Sequence, residues 1–102
     1  MPSVIGLGGS GVLNQTESTI FDASVDVISA GVKPCAAIVT VDNGTGLAFI
    51  RNPTLNGASN WYPMAAGQSK DFIVGRAGGV GQLFGKSDAA GTTISGGPTG
   101  AN

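Results

Sequence analysis

From Phe21 the chain alternates apolar and polar positions, with Phe21, Ala23, Val25 and Val27 on one side and Asp22, Ser24 and Asp26 on the other. A period of two sends successive side chains to opposite faces of a strand, so this segment predicts a half-buried β-strand. Residues 30–34 interrupt the pattern. Cys35 to Val41 then forms an apolar run of strand length, with β-branched Ile38, Val39, Thr40 and Val41. Asp42-Asn43-Gly44 follows at once. Asn-Gly between apolar runs favours a type I′ hairpin, whose two central residues need positive φ, so residues 47–51 are predicted to return antiparallel to residues 35–41.

Asn52-Pro53 ends the returning strand, because proline has no N–H to give to a ladder, and residues 54–63 read as a polar loop carrying Trp61 and Tyr62. Residues 70–74 and 81–86 predict two short strands around an Arg76-Ala-Gly-Gly connection. Residues 88–91 predict a turn and residues 92–95 a last strand. Short strands divided by Gly, Pro, Asn and Asp, with no extended helical stripe, predict an all-β fold: an antiparallel β-sandwich or small barrel.

The start of the chain breaks this rhythm. Glycines at 6, 8, 9 and 11 and the polar run NQTEST surround Val4, Ile5, Leu7, Val12 and Leu13, a composition unsuited to a stable helix. These five side chains are too apolar for a free tail. They are the candidate interface residues of an extended arm, resting on its own domain or, as the stronger expectation, on a neighbouring subunit or lattice. The expected organisation is an arm at 1–18, a β domain at 19–96 and a loose tail at 97–102.

Composition narrows the chemistry. The 102 residues include no histidine, one cysteine, a single glutamate (Glu17) and 18 glycines. Acid/base catalysis, metal binding and nucleophilic triads draw mainly on the scarce types, so the expectation is no enzyme, no metal and no cofactor. Charged residues are 11% of the chain, about half the usual share, which suits a surface that packs against other protein. The net charge is −1 and the bases stand singly at Lys33, Arg51, Lys70, Arg76 and Lys86, which argues against nucleic acid as a partner. No apolar run long enough for a membrane span and no secretory signal pattern is present, so the chain is expected to fold inside the cell that makes it. Cys35 opens an apolar run and is expected to be a buried, inert thiol.

Three local features carry candidate chemistry. Gly6-Leu7-Gly8-Gly9-Ser10-Gly11 matches the dinucleotide fingerprint, but the mechanism needs a helix inside a βαβ unit and VLNQTEST is a poor helix, so a flexible arm is the better reading. Asp22 and Asp26 on one strand would lie about 13 Å apart, too far to chelate one ion directly. Trp61 and Tyr62 either project as a binding hot spot or fold in to plug one end of the sandwich. In the first case Arg51 and Arg76 would join them at a loop end as a candidate recognition site for protein or sugar.

The stretches AFIRNPT (48–54), YPMAAGQSKDFIVG (62–75) and GQLFGKSDAAGTTI (81–94) combine a strand ending in Asn, a Pro/Gly bend with Gly-x-Ser before an aromatic strand, a Leu-Phe strand and an Ala-Gly-Thr-Thr finish. This half of the chain resembles the small all-β structural proteins of tailed-bacteriophage virions, particularly capsid decoration (cement) proteins. The resemblance implies a homo-oligomer, most simply a trimer, on the capsid surface. It would be made in the host cytoplasm, bridge capsomers in the virion and contact the major capsid protein. The competing class is a host-surface or glycan-recognition β module, fibre- or tail-associated.

Overall fold

The structure, a computed structural model, describes residues 4–6, 8–52, 61–74 and 81–101. Among them lie eight strands: β1 (Ser10–Leu13), β2 (Ser18–Asp22), β3 (Pro34–Asn43), β4 (Ala48–Arg51), β5 (Tyr62–Met64), β6 (Ser69–Ile73), β7 (Gln82–Ser87) and β8 (Thr92–Ala101). They form two antiparallel four-stranded sheets with orders β1-β8-β3-β6 and β2-β7-β4-β5. Every connection crosses from one sheet to the other except β4 to β5, which are neighbours in the second sheet. This order is a jelly roll, two interlocked Greek keys closed into a β-sandwich.

Alternation builds the core between the sheets. On β3, Ala37, Val39 and Val41 point inward while Ile38 and Thr40 face out; on β7, Leu83, Gly85 and Ser87 are buried while Gln82, Phe84 and Lys86 are half-buried on the outer face. Ile20 and Phe21 are both buried although adjacent. A bulge between Thr19 and Phe21 turns both side chains inward. Prolines occupy positions where a missing N–H is tolerated: Pro63 lies on edge strand β5, and Pro98 on the part of β8 beyond Ser95, where the pairing with β1 has ended. The buried Asn52 donates from Nδ2 to the carbonyl of Ile73 and ties the end of β4 to the opposite sheet.

Several expectations are corrected. The predicted hairpin does not form: β3 pairs with β6 and β8, and β4 lies in the other sheet. Among the described non-glycine residues only Ala30 has positive φ, so Asn43 lacks the geometry a type I′ turn requires. Gly44 is nevertheless demanded by contact, because a Cβ there would stand 2.8 Å from Thr92 Oγ1 and 2.9 Å from Thr92 Cγ2. The predicted strand at Phe21 starts earlier and stops at Asp22; Val25 N and Asp26 N donate to the Asp22 carbonyl in a turn, and Val25 is 63% exposed. Cys35 is half-buried.

The division into arm, domain and tail also changes. Ser10–Leu13 is an edge strand paired with β8, and Ile5 and Leu13 are fully buried with Val4 packed against the same core. Ile5 N donates to the carbonyl of Ile20 at 3.0 Å. Val4, Ile5 and Leu13 therefore find their partners in the sandwich itself. Val12 faces outward and is 50% exposed, and Leu7 lies outside the described residues. The expected loose tail is strand as far as Ala101, which pairs with Pro34.

Candidate functional site

The outer face of the β2-β7-β4-β5 sheet gathers aromatic rings and cations. Ala48 and Ile50 of β4 point into the core, so Phe49 and Arg51 face out; on β7, alternation does the same for Phe84 and Lys86. The register sets Phe49 opposite Lys86 and Arg51 opposite Phe84. Trp61, just before β5, lies across this face: its ring centroid is 5.1 Å from the Arg51 guanidinium carbon and 4.7 Å from Lys86 Nζ. Arg51 also lies 5.2 Å from the Phe84 ring. These distances fall within cation–π range.

The two cations differ in their electrostatics. Arg51 Nη2 donates to Glu17 Oε2 at 2.6 Å, so its charge is met by a neighbour on the same face. Lys86 has no carboxylate within ion-pair distance among the described residues. A groove of about 400 Å³ runs from Trp61 and Phe49 past Lys86 to Gln15, Ser87 and Asp88 at the loop end. The loops there brace one another: Gln15 Nε2 donates to the Asp88 carbonyl at 2.9 Å, and Asp88 Oδ2 accepts from Leu47 N at 3.2 Å. Asp88 N in turn donates to the Leu47 carbonyl at 3.0 Å. The site therefore has aromatic walls and a braced polar end.

Of the sequence-predicted recognition residues, Trp61 and Arg51 come together. Tyr62, next along β5, turns to the other side, where its ring meets Phe72 edge-on at 6.0 Å and Lys70 Nζ lies 4.7 Å from its centroid. It covers the open margin between the sheets, although it is 45% exposed. Arg76 lies outside the described residues. Sequence reasoning missed Phe49, Phe84, Lys86, Gln15 and Asp88. The spacings Phe49-x-Arg51 and Phe84-x-Lys86 held part of the signal, since each puts an aromatic and a cation on one face of a strand, but only the β4–β7 pairing joins them.

Asp22 and Asp26 form a second polar cluster, at the other end of the sandwich. Their carboxylates do not stand apart along a strand: Asp26 Oδ2 accepts from Asp22 N at 2.9 Å, while Asp22 Oδ1 accepts from Ser24 N at 2.9 Å and Ser24 Oγ at 2.7 Å. Gln82 Nε2 donates to Asp22 Oδ2 at 2.9 Å. Burial pushes the Asp22 carboxyl up, but the bonds from Ser24 and Gln82 outweigh it and hold the group below its ordinary value of 3.8. A carboxylate with a lowered folded value contributes stability above its unfolded value and loses that contribution as pH falls through the folded one. The stability gap between wild type and Asp22→Ala is therefore expected to be constant above about pH 5 and to shrink on acidification. Urea unfolding at a series of pH values measures it, and a gap that widens in acid would contradict the assignment.

Among the described residues no three His, Cys, Asp or Glu side chains are grouped to hold a metal ion, and no helix is long and apolar enough to cross a membrane. Comparison of the chain with protein-family models, with curated proteins and with solved structures finds no match.

Proposed function

We propose that the chain is a structural virion protein, a decoration (cement) protein of a tailed-bacteriophage capsid, which stabilises the head by bridging capsomers and has no catalytic role. The observation that carries this reading is the jelly-roll strand order, an architecture recurrent in viral capsid and lectin domains. It joins the resemblance of the stretch from Ala48 onward, now seen to supply β4 to β8, to a scaffold used in shells. Fold alone does not assign function, so the low charge density of the chain is a needed second support.

In this reading the contact surface is not an arm. Val12, Ile28, Val32 and Ile73 are exposed, and a shallow groove of about 570 Å³ on the outer side of the β1-β8-β3-β6 sheet is lined by Gly8, Ile28, Ile38, Gly96, Gly97 and Pro98. Such a surface suits burial against the major capsid protein or against sister copies in a homo-oligomer, most simply a trimer. Several weak contacts of this kind add through multivalency. Particles lacking the protein are expected to break at lower temperature and milder osmotic shock, and added purified protein is expected to restore them. Equal resistance of particles with and without it would overturn the proposal.

A further inference from the structure

The groove on the β2-β7-β4-β5 face has a chemistry that capsid bridging does not require. Its aromatic walls are Trp61 and Phe49, its cation is Lys86, and its far end presents Gln15 and Asp88. We propose that this groove binds an acidic saccharide, with the C–H face of a sugar ring against the indole, the sugar carboxylate on Lys86 and hydroxyls on Gln15 and Asp88.

Each part follows from a specific observation. A ring face carrying partial positive charge on its C–H groups packs well on an aromatic quadrupole, and Trp61 lines the groove. The Lys86 ammonium, 4.7 Å from the indole centroid, moves off the ring to meet the sugar carboxylate as the sugar takes its place. About 400 Å³ lies at the lower end of the range for small-molecule sites, enough for one or two sugar units. A carboxylate and an amide side by side accept and donate to hydroxyls, and both are braced: Gln15 by the Asp88 carbonyl, Asp88 by the Leu47 amide. The acidic substituent is argued from the cations. Arg51 is met by Glu17 at 2.6 Å, whereas Lys86 has no carboxylate within ion-pair distance among the described residues, so its ammonium is the one placed to answer a ligand anion. A polyphosphate chain fits less well, since Asp88 would face it and the chain carries a net charge of −1.

This inference stands apart from the capsid reading, and its test needs no virion. Trp61 is the sole tryptophan, so intrinsic emission reports on the groove alone. Titration with trigalacturonate is expected to give a saturable change in emission, and maltotriose a much weaker one. Lys86→Gln should weaken trigalacturonate binding about tenfold, the worth of one charge-assisted hydrogen bond, while leaving maltotriose unchanged. Lys70→Gln, which removes the same charge beside Tyr62, should change neither. Trp61→Ala, followed by calorimetry with a melting curve as the check on folding, should abolish binding. The proposal is overturned by the absence of a saturable change with either sugar, by equal losses in the two lysine variants, by maltotriose binding as tightly as trigalacturonate, or by binding that survives in a folded Trp61→Ala protein.

Discussion

Deleting residues 2–13 is expected to unfold the domain rather than to free it of an appendage. The deletion removes β1 with its pairing to β8, exposing that edge of the first sheet, and takes Ile5 and Leu13 out of the core, where both are fully buried. Truncating one buried Leu or Ile to Ala typically costs about 2–5 kcal/mol, so losing both side chains and a strand approaches the whole stability of a small domain, roughly 5–15 kcal/mol. The hydrogen bonds from Ile5 N to Ile20 O and from Gly96 N to Gly9 O would go as well, loosening the central strand β8 and the middle of β2. Far-UV circular dichroism and urea unfolding measure the outcome. The milder variant Leu13→Ala should remain folded with a clearly lowered midpoint. A truncated chain that keeps the wild-type midpoint would mean that residues 1–18 behave as an arm after all.

The β class was legible because local alternation and turn residues act at short range. The apolar run from Cys35 to Val41 does lie within β3, and β6 and β7 lie within a residue of where the apolar runs and glycines set them. β8 starts at Thr92 as expected but runs on to Ala101, while the alternation read from Phe21 stops at Asp22. Topology was another matter. Asn43-Gly44 is a hairpin signal only if the two flanking strands become neighbours, and here the pairing of β3 with β6 and β8, both far along the chain, wins over the local turn. The start of the chain was misjudged for a related reason. Glycines at 6, 8, 9 and 11 lower every local propensity, and the compensation comes from core contacts made by Ile5 and Leu13 with residues distant in sequence. The Trp61 groove was half visible. Trp61 and Arg51 stood out as types, but Lys86 and Asp88 join them only through the register of β4 against β7 and the docking of the 88–91 turn.

The second large effect is expected at Gly96, where the two central strands of the first sheet meet. Gly96 pairs with Val39 and has φ of 152°, a backbone conformation L side chains rarely adopt, and a Cβ there would collide with the carbonyl of Ile38. That carbonyl cannot easily yield, because Ile38 lies on β3 between β6 on one side and β8 on the other. Ala therefore has to force apart a ladder held from both sides, and Gly96→Ala should cost about 3 kcal/mol or more, at or above the usual range for overpacking. Gly67→Ala supplies the comparison: Gly67 also has positive φ, 91°, but a Cβ there meets nothing within 4 Å. Its cost should stay near 1 kcal/mol, the conformational part alone. Urea midpoints of the two variants, read side by side, separate collision from backbone strain. Equal losses would mean that β8 moves aside at Gly96 and that the β3–β8 contact is not the rigid centre of this sheet.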